Sequence, residues 1–244
     1  MKVILCGYNW IGCSVLEQLL NARHEVFVYT HETPYYIPSV ANMCKKYNIP
    51  YSFDNISKAS LPFTPDIICS IYYRYIIKPH IINACNKKIF NLHPALLPHY
   101  RGCSSLTWAL INGEKEVGYT YHYIDEHCDT GNIIIQKKIP LTTYDTQSTI
   151  YNRVMFEAAA DFYKAFEKVI NNDSGQKQAQ GGTYYPRGCP YAGQIDESWS
   201  DEKIERFIRA MFFPPYPMAH YKGQEIKTFD EYLNIIERNR ENNQ

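Results

Sequence analysis

Two polar side chains stand where an apolar segment of the sequence ends. In KIFNLHP, Asn91 and His93 occupy alternate positions before a proline. Residues two apart in a strand project from the same face, so we expect the amide and the imidazole to lie side by side. An amide donor can stabilise an oxyanion and an imidazole can carry a proton, which together would serve acyl transfer. The alternative is a buried pair satisfied by the backbone.

Asp129, in the segment CDTGNIII, is the carboxylate that could join this pair. Placed beside the imidazole, it would fix the orientation of the ring or raise its pKa. An Asp in an Asp-Thr-Gly turn is also a common turn former. The spacing alone does not distinguish the two roles.

The elements that must position these residues alternate between strands and helices. KVILCG and EVFVYT predict strands on either side of the helical segment SVLEQLLNA, and DIICSI is a further continuous apolar run. Strands that are apolar on both faces are typical of a parallel sheet covered by helices on both faces. We therefore predict a Rossmann-like α/β fold with a mostly parallel sheet, in which ligands bind at the carboxyl ends of the strands.

The second half of the chain follows another pattern. VGYTYHYID and NIIIQKKIPL predict two strands that extend the sheet in antiparallel fashion, and residues 145–170 predict a long helix with Asp145 as its cap. The polar, glycine-containing segment 171–182 predicts a linker. We expect a catalytic domain over residues 1–175 and a small α+β C-terminal subdomain over residues 183–244.

Composition limits the partners. Twenty-five basic and 25 acidic residues cancel, which argues against nucleic acid or a membrane surface as a partner. The eight cysteines stand singly without metal-ligand spacing, so we expect no metal. Neither a signal peptide nor a long apolar segment is found, which predicts a cytoplasmic protein. GYNWIG lacks the glycine of a dinucleotide fingerprint at Asn9, and Thr30 stands where its acidic residue would be.

Two motifs carry a family resemblance. NLHPALLPHYRG, followed by DEHCDTGNI, resembles the signature of the formyltransferases that use 10-formyltetrahydrofolate. The resemblance covers roughly residues 1–170 and implies that Asn91, His93 and Asp129 are the catalytic residues. It also implies a folate pocket between the segment after DIICSI and the loop before the Asp-Thr-Gly turn. The residues that would line it are Arg74, Tyr75, Ile76, Ile124, Asp125 and Cys128.

The tail indicates a branch of that family. GTYYPRGCPYAGQIDES and IRAMFFPPYPMA are similar to segments of the nucleotide-sugar N-formyltransferases, although Gly188 replaces an Arg and Glu197 and Ser198, not the usual Trp, come directly after Asp196. That branch implies a dTDP-linked amino-dideoxy sugar as substrate, which we expect to be dTDP-4-amino-4,6-dideoxyglucose for O-antigen synthesis. Phosphoribosylglycinamide and methionyl-tRNA formyltransferases are the alternatives within the family. A catalytically silent binding module is the alternative outside enzymes.

A nucleotide-sugar substrate would need cations and aromatic faces. A pyrophosphate binds to basic side chains, to helix N-terminal amides or to the backbone of a tight turn. We expect these contacts from Asn9, Lys78, Arg101, Ser104, Ser105 and Arg187. A nucleobase would stack on an aromatic ring, for which the candidates are Tyr184, Phe213 and Tyr216. The aromatic, proline-rich tail also predicts a homodimer.

Overall fold

A computed structural model describes the backbone of residues 1–241 and the side chains of residues 1–238. The strands are β1 (Lys2–Gly7), β2 (Glu25–Tyr29), β3 (Tyr51–Ser52), β4 (Ile67–Ile71), β5 (Ile89–His93), β6 (Arg101–Gly102), β7 (Glu116–Tyr123), β8 (Ile133–Pro140), β9 (Tyr184–Tyr185), β10 (Ala219–Tyr221) and β11 (Gln224–Ile226). The helices are α1 (Asn9–Asn21), α2 (Val40–Tyr47), α3 (Pro79–Ala84), α4 (Ser105–Ile111), α5 (Gln147–Ile170), α6 (Asp201–Met211) and α7 (Phe229–Glu241).

A seven-stranded sheet forms the centre of the molecule, in the order β3-β2-β1-β4-β5-β7-β8. The first five of these strands are parallel to one another. Every residue of β4 is buried, as its continuous apolar sequence requires of a strand covered on both faces. The predicted α/β fold with a mostly parallel sheet is confirmed.

The last two strands of this sheet are antiparallel, as predicted. β7 pairs with both β5 and β8. Its register with β5 sets His122 opposite Asn91 and Thr120 opposite His93. Polar residues of β7 therefore lie beside Asn91 and His93 of β5.

The long helix α5 starts differently from the prediction. Thr146, not Asp145, caps it, accepting a hydrogen bond from the backbone of Thr149. Asp145 is buried and accepts hydrogen bonds from Thr142 and Arg153. The carboxylate thus anchors the loop before the helix.

The tail after residue 182 packs directly on this core. Phe207 and Ile208 of α6 belong to the same buried apolar cluster as Phe162 and Phe166 of α5. β9 adds to β6, with Tyr184 opposite Arg101. The division into residues 1–175 and 183–244 stays a prediction, but the two parts share one core. No helix in the described part of the chain is long and apolar enough to cross a membrane.

Candidate active site

Asn91 lies near the carboxyl end of β5, and its amide is oriented by two neighbouring strands. The hydroxyl of Ser70, on β4, donates to Asn91 Oδ1 over 2.8 Å. Asn91 Nδ2 lies 3.2 Å from Nε2 of His122, on β7. His122 Nδ1 lies 2.8 Å from the Tyr123 carbonyl, so in the neutral ring Nδ1–H donates and Nε2 accepts from Asn91. One N–H of the Asn91 amide is left for a ligand.

His93, at the end of β5, is 4% exposed. Its Nε2 lies 2.8 Å from the Tyr100 carbonyl and therefore carries a hydrogen. Burial lowers the pKa of His93, against the opposing effect of Asp129, so the resting ring is neutral. In this form His93 can take up a proton but is not a charged donor to an oxyanion. The free lone pair is on Nδ1.

Asp129 joins the two histidines. Its carboxylate lies 3.6 Å from His93 Nδ1 and 3.5 Å from His122 Nε2. Burial acts to raise the pKa of Asp129, but proton uptake by His93 or His122 and the hydrogen bond from the Gly102 N–H act to lower it, and the lowering effects prevail. The carboxylate is therefore ionised and can stabilise a proton that His93 takes up on Nδ1.

The turn that carries Asp129 is held in place by hydrogen bonds from β6 and from the segment after α5. The Gly102 N–H donates to Asp129 Oδ2 over 2.8 Å, and the Cys128 thiol lies 3.3 Å from the same oxygen. Burial, followed by the charge of Asp129, raises the pKa of Cys128 to about 12, which keeps this thiol protonated. Gln178 donates to the backbone carbonyls of Asp129 and Gly131. The segment that we expected to be a linker thus helps to position the turn that carries Asp129.

Sequence reasoning missed Ser70, His122 and Gln178. His122 gave one signal, since it lies in the alternating segment VGYTYHYID two residues after Thr120. Its partner could not be read from the sequence because the antiparallel register sets the pairing. Gln178 gave no such signal in the sequence, because its segment has no periodic pattern.

The residues expected at the folate lie on two loops beside this group. Arg74 and Ile76 are exposed after β4, and Tyr75 is half-buried. Ile124 packs in the same apolar cluster as Ile77, which brings the start of the second loop beside the first. Further along that loop, Asp125 accepts from Thr130 and from the backbone of His127, which closes the turn ahead of Asp129.

Three residues expected at the substrate meet in an aromatic cluster. Asn9 is 6% exposed, and its amide donates to the Tyr151 hydroxyl over 3.0 Å. The Asn9 side chain is therefore engaged in the fold, and the expected phosphate contact through the backbone of this turn stays a prediction. Phe213 lies 5.0 Å from Tyr151 and 5.3 Å from Tyr216 between ring centroids. Tyr216, which is 41% exposed, offers the free aromatic face.

The remaining substrate candidates separate into two groups. Tyr184 is exposed and pairs with Arg101 across β6 and β9. The Nε of Arg101 is buried without a partner among the described residues. Arg187 contacts the loop after β4, where its Nη2 donates to the Arg74 carbonyl over 2.9 Å. Tyr184 and Arg101 thus lie on the strands next to Gly102, which contacts Asp129, and Arg187 lies against the loop after β4.

Ser104, Ser105 and Lys78 form the second group, and their phosphate contacts stay a prediction. The helix α4 has only seven residues, and Ser104 donates its hydroxyl to the Gly188 carbonyl. Ser105 is 4% exposed and lies at a partly open pocket of about 280 Å³ beside the loop from Pro94 to Tyr100. Lys78 is exposed at the start of α3, and no described contact joins it to the catalytic group. The Ser105 side chain is not accessible to a substrate, so a contact from Ser105 would have to come from its backbone N–H, and that role stays a prediction.

One further site residue was missed. His31, directly after β2, is 5% exposed and accepts the backbone N–H of Arg74 on Nε2. Its ring stacks on Tyr73 with 4.8 Å between centroids. Burial, together with the charges of Arg74 and Arg187, lowers the pKa of His31 to about 4. The ring is therefore neutral at physiological pH.

Comparison with known proteins gives a consistent result. A model of the formyl transferase family matches residues 22–166. The GDP-perosamine N-formyltransferases of Brucella melitensis and Brucella abortus are each 42% identical over 160 residues, which are 66% of this chain and 62% of each relative. The chain thus spans less than two thirds of the length of these relatives.

Solved structures extend the likeness into the tail. WlaRD, a sugar 3N-formyl transferase crystallised with dTDP and 5-N-formyl-THF, matches with a TM-score of 0.80 and 25% identity, over 93% of this chain and 85% of its own. The N-formyltransferase from Helicobacter canadensis, in complex with folinic acid and dTDP-3-aminofucose, matches with a TM-score of 0.81 and 25% identity. It covers 93% of this chain and 87% of its own.

Proposed function

This chain belongs to the formyl transferase family, and we propose that it moves a formyl group from 10-formyltetrahydrofolate to the amine of a nucleotide-linked amino sugar. The observation that carries the proposal is the convergence of Asn91, His93 and Asp129. They lie together at the carboxyl end of β5, where an α/β sheet binds its ligands: Asn91 contacts His122, and the Asp129 carboxylate lies 3.5 Å from His122 and 3.6 Å from His93.

In this reaction the free N–H of Asn91 stabilises the oxyanion. The neutral amine of the sugar attacks the formyl carbon, a C–N bond forms, and the formyl oxygen takes the negative charge. Ser70 and His122 hold the amide in one orientation, so the donor needs no rearrangement when the charge develops. This support distinguishes Asn91 from an ordinary polar side chain on a strand.

His93 and Asp129 transfer a proton from the attacking amine to the leaving group. The attacking nitrogen must lose a proton, and N10 of the folate must gain one when its bond to the formyl carbon breaks. His93 Nδ1 has the free lone pair, and the ionised Asp129 stabilises the imidazolium that results. Collapse of the intermediate returns the proton to the departing N10, and the pair is ready for another cycle.

The identity of the sugar is a finer proposal. The likeness to two structures of sugar N-formyltransferases extends over 93% of the chain and so includes residues of the tail. We propose dTDP-4-amino-4,6-dideoxyglucose as the first candidate, with a role in O-antigen synthesis. GDP-perosamine is the second candidate, favoured by the 42% identity to the Brucella enzymes.

Product analysis tests this proposal. The full chain is incubated with 10-formyltetrahydrofolate and, in separate reactions, with both nucleotide sugars, phosphoribosylglycinamide and methionyl-tRNA. We expect mass spectrometry to show one added formyl group on a nucleotide sugar, with stoichiometric release of tetrahydrofolate. Asp129→Asn should abolish the gain. Formylation of the glycinamide or the tRNA alone would contradict the proposed substrate class.

A further inference from the structure

The His93 ring lies between two acceptors that favour different tautomers. The Tyr100 carbonyl lies 2.8 Å from Nε2, and the Asp129 carboxylate lies 3.6 Å from Nδ1. A neutral imidazole has one hydrogen to donate, so it can satisfy only one of them. With the hydrogen on Nε2, the Nδ1 lone pair is free to take a proton. With the hydrogen on Nδ1, the remaining lone pair would face the Tyr100 carbonyl and could accept nothing from a substrate.

The position of the Tyr100 carbonyl depends on a backbone conformation that tyrosine rarely adopts. Tyr100 has a φ of +59°, in the left-handed region, where a side chain crowds the following carbonyl oxygen. A residue stays in such a conformation only when the surrounding structure holds it there. The tautomer of His93 therefore depends on what holds Tyr100.

The beginning of the tail holds the backbone of Tyr100. Thr183 Oγ1 accepts the Tyr100 N–H over 2.8 Å, and the Thr183 carbonyl accepts the next backbone N–H, from Arg101, over 2.9 Å. The ring of Tyr185 is nearly parallel to that of Tyr100, with 5.6 Å between centroids. On Tyr185 the Trp108 ring also stacks, at 4.6 Å. One short segment thus contacts the peptide groups and the ring of Tyr100.

The hydroxyl of Tyr100 is fixed as well. It donates to Glu114 Oε1 over 2.6 Å and accepts from Asn112 Nδ2 over 3.2 Å. The same Asn112 amide lies 3.0 Å from the Tyr185 hydroxyl, which ties the two stacked rings together. Glycine would adopt a φ of this sign more readily but would make none of these side-chain contacts. The tyrosine at this position therefore anchors the strained peptide.

We propose that Tyr100 is a positioning residue for His93, and that Thr183 and Tyr185 hold it so that the His93 ring stays in the Nε2–H tautomer. The importance of this tautomer rests on the proposed function, in which Nδ1 takes the proton of the attacking amine. The tautomer itself is a property of the resting protein. The tail would then contribute to catalysis through the histidine, besides any contact with the substrate.

Nitrogen NMR of the histidine rings in isotope-labelled full chain, at mildly alkaline pH, measures the tautomer without substrate. The signals of His93 are those that His93→Gln removes. We expect the wild type to have its hydrogen on Nε2. Thr183→Val removes the acceptor of the Tyr100 N–H, and Tyr185→Leu removes the stacked ring, so each should populate the Nδ1–H form. Tyr185→Phe keeps the stacked ring and should stay close to the wild type.

Steady-state kinetics of the same proteins measures the consequence. We expect kcat of Thr183→Val and Tyr185→Leu to fall with the fraction of the Nε2–H form, by about tenfold or more where the Nδ1–H form predominates. The KM values should change little, because neither residue is among the expected substrate contacts. Thr143→Val and Tyr144→Leu, at exposed positions in the loop before α5, are the matched controls.

The two measurements separate the outcomes. A wild-type His93 with its hydrogen on Nδ1, or on both nitrogens, would overturn the inference. A wild-type tautomer in both Thr183→Val and Tyr185→Leu would also overturn it, whatever their kcat. An altered tautomer in a protein that formylates no nucleotide sugar would support the positioning of His93 and contradict only the proposed function.

Discussion

At the residue scale, the amide of Asn91 is held by Ser70 and His122 and keeps one donor for the formyl oxygen. We expect Asn91→Ala to lower kcat about 10²- to 10³-fold, as the loss of one oxyanion donor does. The KM values should change little, because this donor acts mainly in the transition state. Steady-state kinetics measures both quantities. Asn42→Ala, on the exposed surface of α2, is the control, and a variant within tenfold of wild-type kcat would contradict the assignment.

A second prediction at this scale concerns His31. Its pKa is lowered to about 4 from the ordinary 6.5, so below pH 6.5 the unfolded chain binds a proton that the folded chain does not. Stability therefore falls as pH drops from 6.5 to 4. Relative to His31→Gln, the wild type should lose about 3 kcal/mol across this range.

Urea unfolding at several pH values measures this difference. His80→Gln, which alters an exposed histidine on α3, should follow the wild-type curve. Parallel pH curves for the wild type and His31→Gln would show that His31 is not kept neutral by the fold.

At the element scale, the short strand β6 holds the catalytic turn through the Gly102 N–H. Gly102 has a φ of +91°, and a Cβ there would lie 2.1 Å from the Tyr185 carbonyl on β9. Gly102→Ala should therefore separate β6 from β9 and displace Asp129, with a loss of kcat of about 10²-fold. The chain offers a matched control in Gly181, which has the same φ of +91° and nothing within 4 Å of its Cβ position.

The comparison separates a clash from backbone strain. Both alanine variants carry the left-handed strain, about 1–2 kcal/mol, but only Gly102→Ala adds the collision. Steady-state kinetics measures the kcat of the two variants, and thermal unfolding measures their stability. Equal kcat values would mean that the Gly102 contact does not position Asp129.

At the scale of the whole molecule, the tail and the sheet share one buried cluster. Phe207 is fully buried between α6 and the core, whereas Phe156 on α5 is 71% exposed. We expect Phe207→Ala to lower the free energy of unfolding by about 3–5 kcal/mol. Unfolding should stay a single transition, because both parts lose the same core. Calorimetry with Phe156→Ala as control tests this, and a separate early transition of the tail would support two independent domains instead.

The sequence by itself determined the fold class and pointed to Asn91, His93 and Asp129, the three residues that we propose as catalytic. Apolar runs with alternating helices require a covered parallel sheet, and the strand IICSI is buried throughout. Asn91 and His93 share a face because strand geometry has a period of two. These features are local, so a short window of sequence contains the information.

Only the tertiary structure decided how those residues work. The contact of Asn91 with His122 spans 31 positions, that of Gly102 with Asp129 spans 27, and that of Arg74 with Arg187 spans 113. Each depends on strand register or on where a loop lies across the sheet, and no local pattern encodes either. For the same reason, the protonation state of His93 and the burial of Ser105 and Asn9 emerged from packing, since desolvation depends on neighbours that are distant in sequence.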